Sequence, residues 1–343
     1  DWRMRILMKA MTRRNPLAAA ASITALLELA GLAGLCAQQP VPPPPTVPPI
    51  RVEVQVVNIY CTVKDKKGRL ITTLDAADFE VREDGKKQTV RYFARETDRP
   101  LTLALLVDTS ISQERLLPIE TETAALFLQR VLRPDDLALL ISFDINVDLL
   151  QEFTGEAARL ERALTRLRIN APGPTGPFPR PGPRGTRFFD AIYLASTEKL
   201  NPEVGRKAII VLTDGVDAGS QVKFTEALEA AQRSDTMIYA IEIADLEWYQ
   251  LHQQYYSGSG ELHKLAEETG GRVLPVREPE KLAQAFDAIA AELRSQYSLG
   301  YTPTNRRADG KFRKISVEVK QRGLKVQARR GYYAPRASAS PGH

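Results

Sequence analysis

Three short, oxygen-bearing side chains follow one apolar run in this sequence. The run extends from Leu101 to Val107, and Asp108, Ser110 and Ser112 come directly after it at alternate positions. The run predicts a buried strand of a parallel α/β sheet, and such sheets bind ligands beyond the carboxyl ends of their strands. A carboxylate and two hydroxyls on one turn supply small oxygen ligands of the kind that Mg²⁺ takes together with water. The spacing therefore indicates cation binding and requires no catalytic step.

Two distant segments add ligands of the same type. A second apolar run at 208–212 leads to Asp214, and Thr186 stands just before a helical pattern. Asp and Ser are also ordinary turn and N-cap residues after strands, so DxSxS alone has a non-functional explanation. The DxSxS segment, the later Thr and the final Asp occur together in this order, and this combination favours a metal site instead. We interpret the neighbouring Asp190 as a helix-entry acid and Asp217 as a turn residue.

This pattern resembles the metal-ion-dependent adhesion site (MIDAS) of von Willebrand factor A-type (VWA) domains. The resemblance implies that Ser110, Ser112 and Thr186 bind the metal directly, and that Asp108 and Asp214 act mainly through water. It also implies Mg²⁺, with Mn²⁺ or Ca²⁺ as alternatives. The remaining coordination position would take an Asp or Glu carboxylate of a protein partner.

Strands alternate with helices over residues 99–296. Such alternation predicts a doubly wound, mostly parallel, Rossmann-like sheet with helices on both faces. The closely spaced strands at 136–143 and 147–152 predict an antiparallel edge. The other strands are expected near 101–108, 207–213, 236–243 and 272–275. Helices are expected near 114–131, 155–168, 187–200, 222–234, 259–269 and 279–295.

Two β segments flank this region. Residues 51–98 and 297–335 alternate in β fashion with hairpin turns, and neither is long enough to be stable alone. We therefore expect them to pair into one β-sandwich, with the α/β domain inserted between them. Cys61 lies in a strand-like run and is expected to be buried. Residues 336–343 form the tail.

The flanks extend the family resemblance to roughly residues 52–335. The DFxVxEDG-like segment from Asp78 to Gly85, the VDTSxS strand end and the closing GYYAP resemble the exported bacterial VWFA-related acidobacterial domain family. The biochemical role of that family is not well defined. The resemblance therefore implies a fold and a site rather than a purpose.

The N-terminus has the organisation of a secretory signal peptide. Basic residues at positions 3–14 precede an apolar stretch at 17–35, and we place cleavage near Ala37. The signal peptide would span 1–37 and a stiff proline-rich linker 38–50. The alternative is an uncleaved membrane anchor, which the acid within the apolar run and the proline-rich exit disfavour. We expect an exported protein, in the periplasm, the cell envelope or outside the cell, without a membrane span after cleavage.

A basic, irregular loop precedes Thr186. It is rich in Pro and Gly, and Arg180, Arg184 and Arg187 would form a rim that favours an acidic ligand. A loop beside a site is often a functional rim, but a tolerated surface insertion explains this one equally well. The net charge of +5 over 343 residues does not indicate nucleic acid, because no basic helix, RNA-binding motif or zinc finger accompanies it.

Three classes of function remain. The first is a non-enzymatic VWA binding or adhesion module that captures an acidic group of a protein partner. The second is a metal-dependent hydrolase or phosphatase, which is disfavoured because His252, His263 and His343 stand in no recognisable pairing with a Ser or Cys. The third is an envelope scaffold with a vestigial metal site. We expect the first.

Overall fold

The computed structural model of the chain describes residues 56–96, 99–169, 185–253, 256 and 259–336. The signal peptide and linker expected at 1–37 and 38–50 lie outside these ranges, and so do Arg180, Arg184 and the tail after Arg336. No helix within the described residues is long and apolar enough to cross a membrane.

Strands and helices are distributed much as the sequence predicts. The strands are β1 Val57–Lys64, β2 Phe79–Glu83, β3 Lys86–Gln88, β4 Val90–Glu96, β5 Leu101–Asp108, β6 Leu137–Phe143, β7 Val147–Thr154, β8 Arg206–Thr213, β9 Thr236–Ile243, β10 Val273–Val276, β11 Gln296–Tyr301, β12 Phe312–Val319, β13 Lys325–Ala328 and β14 Gly331–Tyr333. The α-helices are α1 Leu117–Val131, α2 Ala157–Leu164, α3 Phe188–Leu194, α4 Phe224–Arg233, α5 Leu246–Leu251, α6 Ser259–Thr269 and α7 Leu282–Leu293.

A six-stranded sheet forms the α/β part, with the order β10-β9-β8-β5-β6-β7. All neighbours are parallel except β6 and β7, which are antiparallel at the edge. Every residue of the central strands β5 and β8 is buried, because helices cover both faces. One apolar core lies beneath α1, α2 and α7, and a second lies beneath α3, α4 and α6. The predicted doubly wound sheet with an antiparallel edge strand is confirmed.

The flanking strands form two antiparallel sheets, with the orders β13-β1-β11-β4 and β14-β12-β2-β3. The N-terminal β1 lies between the C-terminal β11 and β13, and β12 pairs with β2. Residues of both sheets share one apolar core, which includes Ile59, Phe79 and Leu299. The predicted β-sandwich built from N- and C-terminal strands is therefore confirmed. Cys61 is buried in this core, and burial raises the pKa of its thiol.

The β-sandwich contacts the edge of the α/β sheet at which the parallel strands begin. Gly270, just before β10, lies against the backbone of β13, where a Cβ atom would approach the nitrogen of Arg329 to 2.6 Å. The buried carboxylate of Glu292 on α7 accepts a hydrogen bond from Arg272 Nε at 2.6 Å and lies 2.9 Å from Lys64 Nζ on β1. Glycine and charge pairing thus join the two parts at this edge.

Helix α5 was not predicted. Its N-cap is Asp245, whose carboxylate accepts a hydrogen bond from the backbone N–H of Trp248 at 3.0 Å. An Asp that caps a short aromatic segment is a recognisable helix start, but six residues are too few for a clear apolar period. The predicted helices were also longer than the observed ones at several ends, such as 155–168 against Ala157–Leu164.

Candidate metal site at the carboxyl edge of the sheet

Asp108 lies at the carboxyl end of β5, beside the end of β8. The two strands are paired through Val107 and Leu212, so that Asp108 and Thr213 end side by side. Thr213 Oγ1 donates to Asp108 Oδ2 at 2.6 Å, and the backbone N–H of Ser110 donates to Asp108 Oδ1 at 2.9 Å. The register of the sheet thus fixes the orientation of this buried carboxylate.

A chain of hydrogen bonds joins Ser110, Ser112 and Asp214. Ser112 Oγ donates to Asp214 Oδ2 at 2.7 Å, and it lies 3.1 Å from Ser110 Oγ. The backbone N–H of Val216 donates to Asp214 Oδ1 at 3.1 Å. Residues more than a hundred positions apart in sequence therefore meet at one point.

Thr186 lies beside the loop that follows Asp214. Its backbone pairs with Ala218 in both directions, with N···O distances of 3.3 and 3.0 Å. Gly185 permits this approach, because a Cβ atom there would lie 2.6 Å from the carbonyl oxygen of Ala218. The hydrogen bonds that join Thr186 to the described part of the chain run through its backbone. The structure thus places Thr186 at the same edge but shows no bond from its hydroxyl to the other predicted ligands.

Of the three rim arginines, Arg187 is described. Its backbone N–H donates to the carbonyl of Asp144 at 2.7 Å, and its guanidinium lies 3.7 Å from the carboxylate of Asp190. Asp190 stands in the first turn of α3 and accepts bonds from the backbone N–H groups of Gln221 and Val222, at 2.9 and 2.8 Å. Through these contacts, Arg187 and Asp190 hold the loops around the site in place.

The acidic groups here are buried together. Asp108 is fully buried, and burial together with the charge of Asp214 raises its pKa to about 7. Glu120, on the inner face of α1, is 1% exposed, and neither of its carboxyl oxygens has a hydrogen-bond partner among the described residues. Burial, followed by the charges of Asp108 and Asp214, raises the pKa of Glu120 well above its usual range. Adding negative charge to this edge is therefore costly.

Several residues of this site were not predicted from the sequence. Thr213 orients Asp108, and Glu120 adds a third buried acid. Tyr249 OH on α5 donates to Asp214 Oδ2 at 2.7 Å. Tyr256 OH lies 2.8 Å from the carbonyl oxygen of Asp214 and 2.6 Å from Glu242 Oε1. The tyrosines follow β9, a neighbour of β8, and only that strand order reveals their proximity to the site.

The arrangement fits a small divalent cation. Oxygens at neighbouring corners of an octahedral Mg²⁺ shell, with metal–oxygen distances of about 2.1 Å, lie about 3.0 Å apart. The Ser110–Ser112 and Ser112–Asp214 oxygen distances are 3.1 and 2.7 Å. Both serine oxygens retain lone pairs after their hydrogen bonds are counted. No group of three His, Cys, Asp or Glu side chains could hold a metal within the described ranges, so the site depends on its hydroxyls.

No protein-family model and no curated protein matches this chain. Solved structures that are similar to it include a VWA protein from Catenulispora acidiphila, with 12% identity, a TM-score of 0.48 and coverage of 84% of this chain and 76% of that one. BatB from Bacteroides thetaiotaomicron is 17% identical, with a TM-score of 0.42 and coverage of 57% of this chain and 97% of that one.

A third similar structure is proximal thread matrix protein 1 from the mussel byssus, in a form whose MIDAS motif is occupied by zinc. It is 15% identical, with a TM-score of 0.45, and 62% of this chain is covered. This chain spans about half of that protein, 49% of its length. These similarities concern the fold alone.

Proposed function

We propose that this protein is an exported, non-enzymatic VWA-type binding module that holds a divalent cation and captures an acidic group of a protein partner. The observation that carries the proposal is the pairing of Asp108 and Asp214 with neutral donors alone in the described part of the chain. Buried carboxylates are stable only when a positive charge or a proton compensates them. An external cation supplies that charge.

Each residue has a distinct task in this proposal. Ser110 and Ser112 offer hydroxyl lone pairs to the cation, and Asp108 and Asp214 supply the negative charge that balances it. Thr186 offers a further hydroxyl from the opposite loop. When bound, the cation supplies an electrophilic centre for one carboxylate of the partner. Mg²⁺ is the proposed ion, and Mn²⁺ or Ca²⁺ would be bound by the same oxygen atoms.

Export and the acidic partner rest on the sequence. The basic and apolar segments before Ala37 support a secretory route, and the arginines around Thr186 support a negatively charged ligand. Mass spectrometry of the mature protein should find its first residue near Gln38. Recovery of the intact N-terminus from the cytoplasm would contradict export.

The capture of a partner is tested with immobilised protein and an envelope extract. Wild type should retain a defined set of proteins in Mg²⁺ and release it in EDTA, and Asp108→Asn should retain none of it. Asp190→Asn is the matched control, since Asp190 lies at the same edge but binds the backbone of residues 221 and 222. Retention that survives both EDTA and Asp108→Asn would overturn the proposal.

A second arm tests the chemistry of the captured group. Carboxylates of the extract are converted to amides with carbodiimide and a small amine before binding. Capture should be lost, because an amide is neutral and is a weaker ligand of a hard cation. Undiminished capture of the amidated extract would exclude a carboxylate as the bridging group.

A further inference from the structure

Helix α5 places a phenol against the proposed metal site. Tyr249 is 6% exposed, and its hydroxyl donates to Asp214 Oδ2 at 2.7 Å. Ser112 donates to the same oxygen, also at 2.7 Å. A phenol is protonated at neutral pH, so the Tyr249 hydroxyl is able to donate.

The hydrogen bonds of Asp214 nearly exhaust its acceptor capacity. A carboxylate oxygen has two lone-pair sites, and Ser112 and Tyr249 occupy both sites of Oδ2. Oδ1 accepts from the backbone N–H of Val216 and keeps one site. Oδ2 is the oxygen that lies 2.7 Å from the proposed ligand Ser112, and a cation at Ser112 or its bound water can reach Oδ2 only after one donor leaves. Ser112 is itself a proposed ligand, which leaves Tyr249 as the donor that is displaced.

We propose that Tyr249 competes with the cation for Asp214, and that α5 is a cap that cation binding loosens. This inference rests on the proposed function of the site and adds a regulatory element to it. The competition lowers the affinity for the cation. It also links occupancy of the site to the position of a helix that borders it.

The contacts of α5 suit a movable cap. Leu246 and Leu251 are 43% and 70% exposed, so the helix packs on one side only. Arg115, which follows the DxSxS segment, pairs with Glu247 at 2.7 Å and with Asp245 at 3.3 Å, and both Arg115 and Glu247 are largely exposed. Exposed ion pairs contribute little stability, so the buried rings of Trp248 and Tyr249 supply the main contacts that loosening of α5 must break.

The aromatic residues of the cap supply an optical reporter. Trp248 contacts the ring of Tyr249 at a centroid distance of 5.2 Å and stacks on His252 at 4.3 Å. The chain contains two tryptophans, Trp2 and Trp248. In a Trp2→Phe background, the tryptophan fluorescence therefore reports on α5 alone.

The test compares wild type with Tyr249→Phe and Tyr301→Phe in the full chain, by calorimetric titration with Mn²⁺ and with Mg²⁺. Tyr249→Phe removes one hydrogen bond to a charged oxygen and should bind the ion about tenfold more tightly. Tyr301→Phe is the matched control, because its hydroxyl also donates to a buried carboxylate, Glu83 Oε2 at 2.7 Å, but in the core of the β-sandwich. Its affinity should stay within about twofold of wild type.

Fluorescence gives a second readout. Adding Mn²⁺ or Mg²⁺ should change the Trp248 emission of the Trp2→Phe protein, and the additional Tyr249→Phe change should reduce that response. A tyrosine with a merely structural role would give the opposite result in the titration, since its loss would weaken binding.

The outcomes separate the cap from the site. Equal or weaker ion binding by Tyr249→Phe, with wild type binding normally, overturns the cap and leaves the metal site intact. Ion binding by Tyr249→Phe but not by wild type would show that Tyr249 excludes the cation from Asp214, which supports the proposed cap. Failure of all three proteins to bind either ion contradicts both the cap and the proposed function.

Discussion

Buried carboxylates are compensated differently at the two edges of the α/β sheet. At the edge where the parallel strands begin, Glu292 lies between Lys64 and Arg272, and Asp136 pairs with Arg294. At the opposite edge, serine, threonine and tyrosine hydroxyls and backbone N–H groups satisfy Asp108 and Asp214, and Glu120 has no partner among the described residues.

This difference separates a structural charge from a functional one. A buried acid with its own Lys or Arg is complete within the chain, and breaking the pair leaves an uncompensated charge. Buried acids with neutral donors are incomplete, and they gain from protons or from an added cation. The edge that joins the β-sandwich is of the first kind, and the proposed metal site is of the second.

The largest effect on stability is expected at the edge that joins the β-sandwich, where the buried acids pair with Lys or Arg. Glu292→Gln leaves Lys64 and Arg272 without their buried counter-charge and should lower the free energy of unfolding by about 3 kcal/mol. Urea unfolding measures this loss. The control is Glu278→Gln, whose pair with Lys281 at 2.9 Å is more than half exposed and should contribute less than about 1 kcal/mol. Similar losses in both variants would remove the distinction between the buried and exposed pairs.

At the edge of the proposed metal site, added ions should change the stability instead. At about one hundred times its dissociation constant, Mg²⁺ should raise the free energy of unfolding of wild type by about 2.7 kcal/mol. Asp108→Asn should abolish this gain and, in EDTA, should be at least as stable as wild type, because the repulsion from Asp214 is removed. Glu292→Gln should keep the gain. A gain that persists in Asp108→Asn would place the ion elsewhere.

Glu120 should make stability depend on pH. Its pKa is raised in the folded protein, so the unfolded chain releases the proton first, and stability falls as pH rises above about 4.3, the ordinary value for Glu. Glu120→Gln resembles the protonated acid. It should match wild type near pH 4 and exceed it by about 1–2 kcal/mol at pH 8 in EDTA, the cost of a buried unpaired group. Thermal unfolding across this range measures the difference, and parallel curves would contradict it.

The sequence predicted the parts of the site that depend on one strand or one turn. β5 ends at Asp108, and Asp214 directly follows the end of β8 at Thr213, because strands buried on both faces leave a strong signal in the sequence. Glu120 was missed although it shares the inner face of α1 with Leu117 and Ala124. An acidic residue on a helix is normally expected to face solvent. The helical spacing of Glu120 with the apolar Leu117 and Ala124 was the feature of the sequence that indicated burial.

Other features required the three-dimensional arrangement. The contact between Tyr249 and Asp214 depends on the adjacency of β8 and β9 and on a helix of six residues. The pairing of Lys64 with Glu292 joins positions 228 residues apart and depends on how the β-sandwich meets α7. No local spacing encodes either contact.

The smallest expected effect is at Arg187, a cation at the edge of the proposed metal site that pairs with Asp190, whose carboxylate also accepts two backbone N–H groups. The 3.7 Å pair is partly exposed, and Asp190 keeps its backbone donors in Arg187→Gln, so the free energy of unfolding should change by less than about 1 kcal/mol. Removing a positive charge next to Thr186 should strengthen Mn²⁺ binding by less than about twofold at physiological salt, where charges are screened over about 8 Å. Calorimetry at low and high ionic strength should show this gain only at low ionic strength. A loss of stability as large as that of Glu292→Gln would mean that Arg187 also compensates the buried acids of the proposed metal site, which would then need no added ion.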